Sequence, residues 1–127
     1  MQITNNIFMV RPKHFTFNYE TANNNFYQNQ VKISRKELIN NVLIEFDKML
    51  DNLVAKGINV DLFHDKQELI TPDSIFPNNW ISMHKSGDIV LYPMFAKNRQ
   101  IEIRADIIET LIKKYNFSNT IDLRENI

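Results

Sequence analysis

Thr71-Pro-Asp-Ser-Ile-Phe-Pro-Asn-Asn-Trp80, running on through Ile81-Ser-Met-His84, Lys85-Ser-Gly-Asp88 and Ile89-Val-Leu-Tyr-Pro-Met94, is the stretch that decides how this chain is read. Two prolines, an acid and two adjacent amides stand before an aliphatic and aromatic run. Proline fixes φ, and Asp, Asn and Ser side chains bond their own backbone, so the first half predicts a rigid loop with a polar tip. The second half predicts a hairpin of 80–84 with 89–93 around the Ser-Gly turn. A polar loop set on a sheet is where binding residues gather, because the sheet holds the backbone still.

Working outward, Ile7-Phe-Met-Val10 reads as a buried strand closed by Arg11-Pro12. Residues 13–33 are irregular, with Phe15, Phe17 and Tyr19 alternating before the polar Glu20-Thr-Ala-Asn-Asn-Asn25. A connection of that length in a compact domain is functional or disordered. Ser34-Arg-Lys-Glu37 is a capping box, and Leu38, Val42, Phe46, Met49, Leu50 and Leu53 recur at helical spacing up to a stop at Gly57. Ile58, Val60 and Leu62 alternate as a strand. After the hairpin, Ile103, Ile107, Ile108, Leu111, Ile112 and Tyr115 form a second helical stripe, and a short strand lies near Asn119-Thr-Ile-Asp-Leu123. Strand, helix, strand, hairpin, helix, strand is an α/β order with a mixed sheet. No linker composition divides residues 1–127, which read as a single domain.

Composition removes several function classes. Fifteen basic and fifteen acidic residues balance to a net charge of +0, with no basic block, which argues against nucleic acid and anionic membrane surfaces as partners. No apolar run reaches membrane-spanning length, and the first residues lack the basic start and apolar stretch of a signal peptide. The absence of cysteine rules out disulfides, and the simplest location is cytoplasmic. Asn and Ile are abundant throughout, so a single Asn counts only with its neighbours.

His14, His64 and His84 share no metal-ligand spacing, and neither a metal nor a cofactor is expected. His64-Asp65 reads as a solvated strand end, and His84 as structural or exposed beside the hairpin turn. Ser74 and Ser82 lie near the loop, but no residue pattern marks either as an activated nucleophile, and no catalytic residue is assigned. Glu20 and Asp73 are acids that the fold could bring together; equally, Asp73 could cap a turn.

Three stretches together resemble one family. They are Met9-Val-Arg-Pro12 with Phe15, Asn18 and Glu20-Thr-Ala-Asn-Asn24; Glu45-Phe-Asp47; and Thr71 to His84 through Leu91-Tyr-Pro-Met94, Asn98-Arg99 and Asp106-Ile-Ile-Glu109. They resemble the amidinotransferase-like proteins typified by citrulline-utilisation hydrolase, within the guanidino-group-modifying (pentein) superfamily that includes arginine deiminase and dimethylarginine dimethylaminohydrolase. The resemblance covers essentially the whole chain and is most specific over 71–94. It implies an α/β propeller of ββαβ-type units, of which this chain would be the N-terminal portion, about two units with two main helices. It also implies attack on a guanidino or ureido carbon by a cysteine thiolate helped by histidine and carboxylates. In such proteins the second helix is followed by a Glu-Gly-Thr-Gly-Ser segment, with the catalytic His and Cys later still.

By the same resemblance Asn79, Asp73, Asn78, Asn24 and Phe76 would bind a small-molecule substrate. Relatives that bind a guanidinium usually carry Asp where Asn79 stands here. A neutral amide suits a neutral ureido group, while a carboxylate facing the ureido carbonyl would suffer lone-pair repulsion. Asn78 and Asn79 as simple turn-formers remain the alternative. The run after Asn98-Arg99, usually richer in arginine, is diluted here by Gln100, Ile101 and Ile103. The expected function is the N-terminal part of a Cys-dependent hydrolase of ureido or guanidino C–N bonds, inactive alone; the alternative is a non-catalytic remnant or binding module. Uncovered sheet edges predict self-association or a C-terminal partner chain.

Overall fold

The computed structural model describes residues 3–18, 20–21 and 34–125. Strand β1 (Asn6–Arg11) ends where Pro12 removes the next backbone donor. Helix α1 (Arg35–Ala55) begins at Ser34, whose Oγ accepts the Glu37 backbone N–H at 3.1 Å, the serine half of the expected capping box. It ends at Gly57, with φ +84°. There the Gly57 N–H donates to Val54 O at 3.0 Å and the Ile58 N–H to Leu53 O at 3.1 Å. This paired closure needs a left-handed residue, which glycine supplies without a Cβ clash. The chain passes directly into β2 (Asn59–His64), parallel to β1, with Asn6 opposite Asn59 and Arg11 opposite His64.

A single 3₁₀ turn at Pro77–Asn79 leads into β3 (Ile81–Met83), which pairs antiparallel with β4 (Asp88–Leu91). The Tyr92 N–H donates to Trp80 O at 2.9 Å and carries the ladder one step further. Two helices follow, α2 (Lys97–Gln100) and α3 (Ala105–Tyr115). Helix α3 stops at Asn116 in the left-handed region, φ 55°, and β5 (Asn119–Asp122) then lies parallel to β4. The α/β order read from the sequence is therefore observed, with α2 and the 3₁₀ turn as additions.

The strands form two sheets, β1–β2 and β3–β4–β5, and only the second is mixed. The expectation of one sheet is corrected on this point. Apolar alternation marks strands but does not say which edges pair, since pairing depends on long-range packing.

One core joins both halves. Val10 of β1 packs with Trp80, Ile81, Ile89, Leu91, Ile107 and Leu111. Ile107 and Leu111, one turn apart on α3, are each 1% exposed. Burying such side chains contributes roughly 1.5–3 kcal/mol apiece, so packing rather than propensity holds α3. Helix α1 is different: its fully buried residue is Phe46, while Met49, expected on the buried stripe, is 48% exposed. Adjacent strands stand only ~5 Å apart, and the two-stranded β1–β2 sheet is too narrow to cover the whole stripe. Among the described residues no helix is long and apolar enough to cross a membrane.

Candidate functional site

The Thr71–Trp80 loop is buried at its base and open at its tip. Thr71, Asp73 and Ser74 are almost fully buried, whereas Asn78, Asn79 and Phe76 are exposed. Successive turns stiffen it: the Phe76 N–H donates to Asp73 O at 3.0 Å, Asn79 to Phe76 O at 3.2 Å and Trp80 to Pro77 O at 3.0 Å. Trp80, 1% exposed and stacked obliquely 6.5 Å from Phe8, anchors the far end in the core.

The near end is fixed by a polar junction of three chain segments. Asn18, 0% exposed, donates its Nδ2 to Asp73 Oδ2 at 2.7 Å and exchanges bonds with the Asn98 amide at 2.9 and 3.2 Å. The Glu20 backbone N–H donates to Asn18 Oδ1 at 3.0 Å, and Glu20 Oε1 accepts the Asn98 N–H at 3.2 Å. Glu20 and Asp73 thus come to one place, joined through Asn18 and Asn98 rather than to each other. A buried carboxylate is tolerated only where donors replace lost water, and here Asn18 supplies one.

Arg99 ties α2 to the loop. Its Nε and Nη2 grip Glu102 at 2.8 and 3.0 Å, and Nη1 donates to Asn79 Oδ1 at 3.0 Å. The carbonyls of Phe76 and Asp73 accept from Nη2 at 3.3 and 3.4 Å. Desolvation pushes the Glu102 carboxyl above its ordinary range; Arg99 pulls it back in part, and the nearby Asp73 and Asp65 charges add to the upward push. Asp65, expected in a solvated turn, is instead 5% exposed. Its Oδ2 accepts from Ser74 Oγ at 2.5 Å and from the Lys13 N–H at 3.2 Å, closing the loop base onto the segment after β1. His64 is exposed, as expected.

Two further arginines brace the frame. Arg11 of β1 forks onto Asp47 of α1 at 2.9 and 3.0 Å, and this bond holds the Asp47 carboxyl below its usual range. Arg104 donates to His64 O at 2.7 Å and to Asp106, joining the end of β2 to the start of α3.

The expected substrate residues divide between two places. Asn78 lines an open hollow of about 980 Å³, together with Phe8, Met9, Ile81, Met83 and His84. Asn79 is turned against Arg99, which also touches the Asp73 carbonyl. Phe76 is at the exposed tip, and Asn24 lies outside the described residues. In the hollow, Ser82 Oγ sits 2.8 Å from His84 Nε2 and 2.8 Å from the Tyr92 hydroxyl. An activated serine needs its histidine oriented by a third group. Among the described residues no side chain bonds the other His84 nitrogen. No group of three or more His, Cys, Asp or Glu among them is placed to hold a metal.

Sequence reasoning missed the role of Arg99 and the Ser82–His84 pair. Arg99 and Glu102 stand three apart, and Ser82 and His84 two apart across the end of β3, spacings that bring side chains to one side.

The family model described as N,N dimethylarginine dimethylhydrolase, eukaryotic, matches residues 11–126, a span holding the loop, the junction and both longer helices. No curated protein and no solved structure matches the chain. The family match agrees with the resemblance at the level of the guanidino-modifying superfamily, without singling out its citrulline-utilisation branch. The loop, clamped at one end by Arg99 and anchored at the other by Trp80, lies within that matched span, and the chain belongs to the N,N-dimethylarginine dimethylhydrolase family of guanidino-modifying, pentein-type proteins.

Proposed function

We propose that this chain supplies one wall of a hydrolase site acting on the C–N bonds of guanidino or ureido compounds. The observation that carries the reading is the clamped loop, whose polar tip is held rigidly above a buried base within a family match spanning residues 11–126. In that role Asn79, Asn78 and Phe76 meet the substrate, while Asp73 and Asn18 hold the loop in shape. Fixed polar groups orient a ligand with little loss of freedom on binding, which is what such a wall contributes.

The thiolate that the family resemblance implies is not among these 127 residues, which contain no cysteine. In this reading the nucleophile is supplied from elsewhere in the assembled site, together with the histidine that the resemblance places beside it. The β3–β4–α3–β5 segment has the strand–strand–helix–strand order of a propeller unit, and β1–α1–β2 has its parallel crossover half. We place the two as neighbouring units of a propeller, in a cytoplasmic protein that associates with itself or with a partner chain.

The test incubates the 127-residue protein with dimethylarginine, arginine and citrulline, following ligand binding by NMR and product by assay of released amine or ammonia. Binding without turnover is the expected result. Turnover would show that the chain carries its own nucleophile, and binding of none of the three would remove the wall. The second reading, a binding module with no catalytic partner, is favoured by the missing cysteine; a partner chain that restores turnover would exclude it.

A further inference from the structure

Thr71 opens the loop, and it is only 2% exposed. Its Oγ1 is shut off from bulk solvent and has no hydrogen-bond partner, and among the described residues no other buried side-chain polar atom stands so. The polar side chains around it are engaged: Asp73 by Asn18, Ser74 by Asp65, and Glu102 by Arg99. A buried hydroxyl without a partner is costly, so an orphan of this kind points to a bound group that satisfies it.

Thr71 lines a small cavity of about 10 Å³ between the loop base and the connection from α2 to α3. That is room for a single water and far too little for an organic ligand. Its other polar walls are Asp65, Lys66, Ser74, Glu102 and Arg104. Acceptors with capacity to spare dominate them. A carboxylate accepts at about four sites. Arg99 uses two on Glu102, and Ser74 and the Lys13 N–H use two on Asp65, so lone pairs remain on both. Water matches this set, since its oxygen accepts the Thr71 O–H while its two hydrogens go to acceptors. A metal ion fits worse. Lys66 and Arg104 balance the two carboxylates at the same cavity, and no group of three or more His, Cys, Asp or Glu among the described residues is placed to hold a metal.

We infer that this cavity binds one water molecule, which accepts from Thr71 Oγ1, donates to the carboxylates facing it, and so joins the base of the loop to the α2–α3 connection. Glu102 also holds Arg99, which clamps the tip at Asn79. The water therefore links the base of the loop to the ion pair that steadies its tip. This site is separate from the exposed tip and stands whether or not the tip meets a substrate.

The experiment takes the full chain and its Thr71→Val and Thr71→Ser variants. It combines a crystal structure of the wild type, a count of long-lived waters by ¹⁷O magnetic relaxation dispersion, and urea titration. The wild type should show one water within about 3.2 Å of both Thr71 Oγ1 and a carboxylate oxygen of Asp65 or Glu102. Thr71→Val keeps the shape of the side chain and removes the hydroxyl. It should lose one long-lived water and raise the unfolding equilibrium constant about fivefold, the ratio expected for one net hydrogen bond. Thr71→Ser should keep both the water and the wild-type count. A valine variant as stable as the wild type, or more so, shows a dry hydroxyl and overturns the inference. So does a cavity without solvent density in the wild-type crystal, a readout that holds even if the valine variant does not fold. A metal cation at the site, recognised by six or more oxygen ligands at about 2.4 Å, overturns it in favour of an ion site.

Discussion

Glu102→Gln is expected to lower the free energy of unfolding by about 1 kcal/mol at pH 7, because desolvation of the carboxylate offsets most of its gain from Arg99 and leaves mainly the lost charge-assisted bonds. Glutamine keeps the size of the side chain but cannot balance Arg99, whose side chain is 11% exposed. The guanidinium would then be left with neutral acceptors, namely Asn79 and two backbone carbonyls. Urea titration of both proteins measures the effect, and an unchanged midpoint would show that the neutral acceptors suffice. The pH dependence has a definite sign. The folded Glu102 carboxyl lies above its ordinary value of 4.5, so the stability it contributes is fully present below that value. That contribution is lost as pH rises through the raised folded value. The advantage of the wild type over the glutamine variant should therefore grow as pH falls from 7 toward 4.5. The depressed carboxyls of Asp47, Asp106 and Asp122 act in the opposite sense, losing stability at acid pH, but they are common to both proteins and cancel.

Trp80→Ala is expected to cost about 4 kcal/mol, within the range for deleting a buried aromatic side chain and leaving a cavity. Trp80 is 1% exposed, packs against Phe8 and ends the loop where the hairpin begins. Its loss should free the tip as well as weaken the core. The check is calorimetry together with hydrogen exchange at the Asn79 and Tyr92 amides, which donate to Phe76 O and Trp80 O. Exchange that quickens at those amides alone, with the melting temperature unchanged, would show that the indole shapes the loop without stabilising the core.

Much of the fold was legible because its signals are local. Ser34 with Glu37, the stripe from Ile103 to Tyr115, and Gly57 each announce an element boundary or a buried face within one or two helical turns. The pairing of strands into two sheets was not, because β1 and β2 are joined across α1 and the pattern of neither names its partner. The outward placement of Met49 was hidden for a related reason: helical spacing shows that a stripe exists but not how much of it the neighbouring sheet is wide enough to cover. At the site, the loop itself stood out through its prolines and amides. Asp65 did not, since a carboxylate beside an exposed histidine looks solvated until Ser74 and Lys13 are seen to supply its donors. Helix α2 has four residues and no apolar periodicity, and it carries the arginine that orients the tip.

The junction around Asn18 also has a consequence for the order of folding. The capping contact at Ser34 spans three residues, but Asn18 reaches Asp73 across 55 and Asn98 across 80. Closing such long loops costs chain entropy that only an already assembled framework offsets, so these bonds should form after the rate-limiting step. Asn18→Ala should then leave the refolding rate nearly unchanged and speed unfolding about tenfold, as expected when a buried hydrogen bond absent from the transition state is removed. A chevron whose refolding arm moves instead would place the junction in the nucleus. Late assembly makes the loop the first part to open from the native state, so the lifetime of its binding-ready shape would be set by an escape rate rather than by the overall stability of the protein.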